Sequence, residues 1–148
     1  MKKYLFVFTH FVAALGLTSC SSDDDNEELA GIWSVIGYGS DEQFVNIDED
    51  LLNSMKCRIS IHDNGRFAYH IRNTFYGNYR YSSKSGAFAM SDMEATMIYV
   101  MNKDLNHLED LVHKYNRARV SGDLLKLYYS DTEYVLFKRG GVGIADFD

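Results

Sequence analysis

The stretch HLEDLVHKY contains two histidines, His107 and His113, that flank two carboxylates and suggest a metal site on a helix. Two helical histidines that chelate one ion need a spacing of four, as in the HExxH motif. His107 and His113 are six positions apart, which places their side chains about 120° from each other on a helical wheel. Glu109 and His113 have the required spacing, but two ligands make a poor site. The sequence predicts a solvated helix face here and no metal site.

The same stretch has a second pattern, an apolar stripe. Five side chains of this region fall within an arc of about 120° when they are placed at helical spacing. They are Leu105, Leu108, Leu111, Val112 and Tyr115. The stripe predicts a helix that packs against the rest of the domain. Any chemistry of the chain must therefore come from elsewhere.

Other groups of polar residues do not form a recognisable site. His62 and His70 are predicted to share a strand face with three arginines that would repel a cation: Arg58, Arg66 and Arg72. A cluster of acidic residues lacks the alternating ligands and central glycine of a calcium loop; its members are Asp41, Glu42, Asp48, Glu49 and Asp50. The sequence contains no GxSxG, P-loop or CxxC motif. We expect no catalytic activity and no cofactor.

The N-terminus predicts where the protein is delivered. Lys2 and Lys3 precede an apolar run over residues 4–17, the pattern of a secretory signal peptide that is too short to span a bilayer as a stable helix. The sequence LTSC, which ends at Cys20, resembles the lipobox of bacterial lipoproteins. That resemblance implies that residues 1–19 are removed, that the Cys20 thiol carries a diacylglycerol, and that acyl chains anchor the protein to a membrane.

The segment SSDDDNEE, residues 21–28, is acidic and has no apolar side chain to bury, so it predicts a disordered tether. It also resembles the export signal that follows the lipidated cysteine in surface lipoproteins of Bacteroidota-type bacteria. The matching residues are Ser21, Ser22, Asp23, Asp24 and Asp25. The resemblance implies an outer-membrane lipoprotein exposed on the cell surface. A periplasm-facing location is the alternative.

Periodicity predicts one folded domain over residues 29–139, followed by a flexible glycine-rich tail over residues 140–148. Residues 31–38 are rich in β-branched and aromatic side chains and predict the first strand. Asp48 is a candidate cap for a short helix. The net charge is −6 and no basic patch is present, so nucleic acid is not an expected partner.

Two hairpins are predicted with their registers. A three-residue loop over residues 63–65 places Ile59 opposite Tyr69 and aligns Cys57 with the apolar face, which predicts a buried thiol. A similar loop over residues 130–132 places Leu127 opposite Val135. Three further strands are expected over residues 74–83, 86–91 and 94–101. The predicted fold is mainly β with one α-helix, as an antiparallel curled sheet or partial barrel packed on or around the helix.

The order of motifs from residue 63 onward resembles the META-domain family of bacterial envelope proteins. The matching pieces are Gly77-Asn78-Tyr79, Gly86-Ala87-Phe88, Thr96-Met97-Ile98-Tyr99, then Tyr115, Val120, Gly122, Leu125 and Leu127, and finally Leu136-Phe137-Lys138-Arg139. The resemblance implies a non-enzymatic accessory module of the cell envelope that acts through protein contacts, with an envelope protein as its partner.

Two alternatives remain open. The opening Gly31-Ile32-Trp33 resembles the first strand of lipocalin-like domains, which implies a barrel that binds a small apolar ligand. The 11 tyrosines are also compatible with a glycan-binding surface. An interior filled by side chains favours the accessory module, whereas an open apolar cavity favours the lipocalin-like binder.

Overall fold

The computed structural model describes residues 25–99 and 101–141. In this part of the chain, nine antiparallel strands form one sheet in the order β6-β5-β4-β3-β1-β9-β8-β7, with β2 paired to β1. The strands are β1 (Gly31–Gly39), β2 (Phe44–Asn46), β3 (Arg58–Ile61), β4 (Arg66–His70), β5 (Thr74–Tyr81), β6 (Phe88–Ala95), β7 (Arg117–Ser121), β8 (Leu124–Tyr128) and β9 (Tyr134–Arg139). The sheet is curled into a half-barrel, which confirms the predicted fold class.

Within the described residues, two helices lie between strands of the sheet. Helix α1 (Glu49–Met55) begins at Asp48, whose side chain accepts a hydrogen bond from the Asp50 N–H, as the sequence predicted. Helix α2 (Lys103–Leu111) continues into a 3₁₀ turn (Val112–Lys114) and connects β6 to β7. All five residues of the predicted apolar stripe are buried, so α2 packs its stripe into the same core as the sheet.

The two ends of the curled sheet meet at the start of β6. Ala87 and Arg117 form an isolated antiparallel bridge. The Phe88 N–H donates to the Asn116 carbonyl at 3.1 Å, and the Ala118 N–H donates to the Gly86 carbonyl at 2.9 Å. These bonds join the two ends of the sheet at one point and leave most of the outer edge of β6 without a partner strand in the described residues.

Both predicted hairpin registers are confirmed. Ile59 pairs with Tyr69, and Leu127 pairs with Val135. Gly65 has a φ of 87°, the left-handed conformation that the three-residue loop requires. Because the side-chain period of a strand is two, these registers bring the main apolar side chains of each hairpin onto the buried face, among them Ile59 and Tyr69 in the first and Leu127 and Val135 in the second.

Three sequence predictions about elements are wrong. Strand β6 runs without a turn through residues that we had divided between two strands, because a bulge with Asp92 at a φ of 52° bends it and lets it continue. Residues 96–99 then lie outside any strand. Strand β7 was not predicted; a two-residue turn at Gly122-Asp123 joins it to β8.

The predicted disorder of the acidic segment is also wrong for residues 25–28, which begin a helical turn that extends to Leu29. Asn26 donates to the Asp63 carbonyl at 3.1 Å, and Glu28 accepts a hydrogen bond from the Tyr81 hydroxyl at 3.2 Å. The fully buried Leu29 fixes the end of this turn. Most of the predicted tail, residues 142–148, lies outside the described residues.

Candidate functional site

An ion pair is buried between α2 and the loop that joins β4 to β5. The Arg72 Nη2 atom lies 2.8 Å from the Glu109 Oε1 atom, and the two side chains are 6% and 11% exposed. Arg72 also donates from Nη1 to the Asn106 Oδ1 atom at 3.1 Å and from Nε to the Ile98 carbonyl at 3.0 Å. All three nitrogens of the guanidinium group therefore have acceptors in the protein, which offsets part of the cost of burying the charge.

Asn73 completes this network. Its backbone N–H donates to the Glu109 Oε2 atom at 2.7 Å, so both carboxylate oxygens of Glu109 accept hydrogen bonds. Its side-chain Nδ2 donates to the Ile98 carbonyl at 3.0 Å, and its Oδ1 accepts from the Ile98 N–H at 2.5 Å. The side chain of Asn73 thus hydrogen-bonds to both backbone groups of Ile98, as a residue of a neighbouring strand would. We name Arg72, Asn73, Asn106 and Glu109 the clamp.

The segment held by the clamp exposes large apolar side chains. We name residues 96–99 the display segment. Met97 is 93% exposed, Ile98 is 55% exposed and Tyr99 is 80% exposed, and the nearby Met101 is 84% exposed. Exposed apolar side chains that are scattered singly are ordinary, but consecutive ones on an ordered backbone mark an interaction site. The sequence predicted a strand here and did not predict that its side chains would face solvent.

Neither Arg72 nor Glu109 was predicted to take part in a site. Arg72 was assigned to the polar face of the first hairpin and Glu109 to a solvated helix face, and both assignments are wrong because the two side chains meet in the interior. A signal was present for Glu109, which lies only about 40° from Leu105 on the helical wheel, at the border of the apolar stripe. No local pattern indicates that its partner is Arg72, 37 positions earlier in the chain.

The histidines of the opening motif pack against aromatic rings. His107 lies between Tyr38 and Tyr129, with ring centroids 4.5 Å and 6.3 Å away. His113 meets the ring of Phe75 edge-on at 6.4 Å. His107 is half-buried, so the prediction of a solvated face is wrong for this residue. Within the described residues, no three His, Cys, Asp or Glu side chains converge in a way that could hold a metal ion.

The remaining candidate residues are dispersed over the fold. Asp41 accepts a hydrogen bond from the Tyr134 hydroxyl at 2.8 Å, whereas Asp48 caps α1, so the acidic cluster is divided between two structural roles. Cys57 is buried as predicted, and burial raises the pKa of its thiol to about 12. A thiol with so high a pKa is protonated near neutral pH and is a poor nucleophile.

The residues predicted for lipidation and export lie almost entirely outside the described part of the chain. The residues that lie outside the described part of the chain are Cys20, Ser21, Ser22, Asp23 and Asp24. Asp25 is described, and its carboxylate accepts a hydrogen bond from the Ser83 hydroxyl. In the described residues, no helix combines the length and hydrophobicity needed to cross a membrane.

The interior of the half-barrel is filled. Six side chains that the sequence predicted to fill a closed core are between 0% and 3% exposed. They are Trp33, Ile59, Ile61, Phe67, Leu108 and Leu127. Surface grooves in the described part of the chain are bordered by charged side chains, such as a groove of about 410 Å³ beside Glu28, Lys84 and Arg117.

Comparison with known proteins extends the description of the fold. No family model matches the chain, and no curated protein matches it. A protein from Burkholderia xenovorans solved by NMR aligns with a TM-score of 0.59 at 10% identity, over 76% of this chain and 83% of that one. A DUF4847-family protein from Bacteroides vulgatus aligns with a TM-score of 0.55 at 11% identity, over 86% and 99%. At such low identity these similarities show a shared fold.

Proposed function

We propose that this protein is a lipid-anchored accessory module of the cell envelope that acts through protein contacts and has no catalytic activity. The observation that carries the proposal is the display segment, where Met97 and Tyr99 stand in solvent on a backbone that a buried ion pair holds in place. A single buried pair is poor evidence for a gain in stability, because desolvation opposes the attraction between the charges. An ordered and exposed apolar segment is what a protein partner requires.

Asp25, the first described residue after the proposed anchor, and the display segment are at opposite ends of strand β5. Asp25 contacts Ser83 just beyond the last residue of β5, whereas the display segment begins opposite the first, with the Thr96 N–H bonded to the Thr74 carbonyl. Strand β5 has eight residues. At a rise of about 3.3 Å per residue, the seven steps from its first to its last residue separate the two ends by about 23 Å. Cys20 lies five positions before Asp25, so the chain that joins them spans at most about 18 Å. An anchored domain that stands upright presents the display segment away from its membrane.

The filled interior supports protein contacts over a small apolar ligand. A lipocalin-like binder needs a cavity lined by apolar side chains, and the places where such a cavity would lie are occupied by residues such as Trp33 and Leu127. The glycan-binding alternative has no matching feature, because among the described tyrosines only Tyr76 and Tyr99 are prominently exposed.

Site-specific photo-crosslinking in intact cells tests this proposal. A photoreactive amino acid replaces Met97 in the full chain, and a matched variant carries it in place of Leu124, an apolar side chain that is 40% exposed on β8. We expect discrete protein adducts from position 97 and none from position 124. Equal labelling at both positions, or no adduct at position 97, would contradict a role in protein contacts.

A further inference from the structure

Strand β6 presents an open edge that continues into the display segment. It pairs with β5 along one edge, from Tyr81↔Phe88 to Phe75↔Ala95. Along the other edge, the described residues supply one bridge, between Ala87 and Arg117. An unpaired edge of this kind is a template for another strand, and natural proteins usually cover or disrupt it.

In the display segment, the N–H groups of every second residue point to the domain, as in a strand. The Thr96 N–H points to the Thr74 carbonyl, and the Ile98 N–H points to the Asn73 side chain. In a strand, the residues between and beside two such positions, here Ala95, Met97 and Tyr99, direct their N–H and C=O groups to the opposite side, away from the domain. In the described part of the chain, Met97 and Tyr99 make no backbone hydrogen bond, and both are largely exposed. The clamp thus satisfies one edge of the segment and leaves the other edge available.

The sequence of this edge is self-complementary. We propose that the display segment pairs antiparallel with the same segment of a second copy of this chain, about a two-fold axis at Met97. This inference rests on the proposed function and names its partner. In this register Met97 faces its own copy and Ala95 faces Tyr99. The three side chains that each copy contributes to this face, at positions 95, 97 and 99, are all apolar.

Charge and symmetry favour a second copy over a lipid surface. The exposed carboxylates of Asp92 and Glu94 border the segment, and anionic lipid headgroups would repel them. A two-fold pairing uses the same edge on both copies, so it closes at a dimer and does not extend into a fibre. Five residues per copy form a small interface, but two copies anchored on one membrane meet at a high effective concentration.

Cysteine crosslinking in intact cells that produce the full chain tests the pairing. In the proposed register the two residues at position 97 have Cα atoms about 5.5 Å apart, which lies within the range of about 4.4–6.8 Å that a disulfide spans. With copper phenanthroline as oxidant, we expect Met97→Cys to give at least about tenfold more dimer than Leu124→Cys, given the effective concentration on a membrane. The parent chain, with its two native cysteines, supplies the background.

The register is tested by mixing variants. Cells that produce Ala95→Cys together with Tyr99→Cys should give the mixed dimer. Adding Met97→Pro should abolish this dimer, because proline removes an outward N–H that the domain itself does not use. Adding Met97→Ala keeps that N–H and should retain the dimer.

Two results distinguish this inference from the function on which it rests. If Met97→Cys gives no more dimer than Leu124→Cys while photo-crosslinking from position 97 captures a different protein, self-pairing is overturned and the proposed function survives. If position 97 also yields no photo-adduct, both fail. A dimer that persists with Met97→Pro would overturn the strand pairing itself.

Discussion

The charge of Arg72 is buried in the fold, and the opposite charge of Glu109 offsets part of the free-energy cost of burying it. The pair is less than one-eighth exposed on either side, so water screens it weakly. Removing one partner of such a pair leaves the other charge without compensation in the interior, which is more damaging than replacing both partners. The clamp is therefore the place where a single atom change should have the largest effect on the display segment.

Glu109→Gln replaces one carboxylate oxygen by an NH₂ group and should lower the free energy of unfolding by about 3–5 kcal/mol, because Arg72 remains buried without a counter-charge. Asp110→Asn makes the same atom change at the next residue, which is exposed, and should change stability by less than about 0.5 kcal/mol. Urea unfolding of the two variants measures the difference. Equal effects would show that the ion pair does not hold this part of the fold.

Leu108 lies in the middle of the apolar stripe of α2 and is fully buried. Leu108→Ala should lower the free energy of unfolding by about 2–5 kcal/mol. His107→Ala removes the ring contacts with Tyr38 and Tyr129 and should lower it by about 0.5–1.5 kcal/mol, whereas His113→Ala, at an exposed ring, should have a smaller effect. Thermal melts with and without zinc check all three variants. Zinc that stabilises the parent chain and Leu108→Ala but neither histidine variant would identify the histidines as ligands.

At the scale of elements, the sequence predicted best where local rules and burial agree. The hairpin at Gly65 needs a left-handed residue, and its register needs Ile59 and Tyr69 on one face, so both signals lead to one arrangement. The division of β6 was wrong because the polar residues around Asp92 form a bulge that bends the strand and lets it continue, instead of a turn that ends it. The clamp was not predicted for a different reason. Its contacts join residues far apart in the chain, and no periodic pattern in the sequence indicates such contacts.

The packing of α2 onto the sheet predicts instability at alkaline pH. Burial and neighbouring groups raise the pKa of Tyr69 and of Tyr115, and burial raises the pKa of Cys57 from 9.0 to about 12. Each group therefore binds its proton more tightly in the folded state than in the unfolded state. Its contribution to stability is fully present below the unfolded pKa and is lost as the pH rises toward the folded pKa.

We therefore expect the free energy of unfolding to fall steeply between pH 10 and 12, by about 1.4 kcal/mol per pH unit for each such group. Tyr115→Phe removes one buried phenol and should make the slope shallower by about that amount. Tyr99→Phe changes an exposed phenol and should keep the parental slope. Urea titrations at several pH values provide the measurement. A slope that Tyr115→Phe leaves unchanged would contradict the assignment.

At the scale of the whole molecule, the proposed function depends on attachment to a membrane through Cys20. Cys20→Ala should release the protein from the membrane fraction, because acyl chains on that cysteine are its proposed attachment. Fractionation and immunoblotting measure this release. A variant that still sediments with membranes would show that the attachment lies elsewhere.

Replacing Asp23, Asp24 and Asp25 together by alanine should reduce access of external protease to the protein in intact cells, because these residues belong to the proposed export signal. Asp25 also contacts Ser83, so Ser83→Ala serves as the control that removes this contact and keeps the signal. Unchanged protease access in the triple variant would contradict surface export.

The central claim is that the clamp holds the display segment in the form that contacts another protein. The most direct test measures the photo-crosslinking yield from position 97 in three backgrounds: the parent chain, Glu109→Gln and Leu108→Ala. The last two are expected to lose similar stability, by about 2–5 kcal/mol, but Leu108→Ala leaves the clamp intact. The account predicts that Glu109→Gln abolishes the adducts while Leu108→Ala retains them. Adducts that survive Glu109→Gln at the parental yield would contradict it.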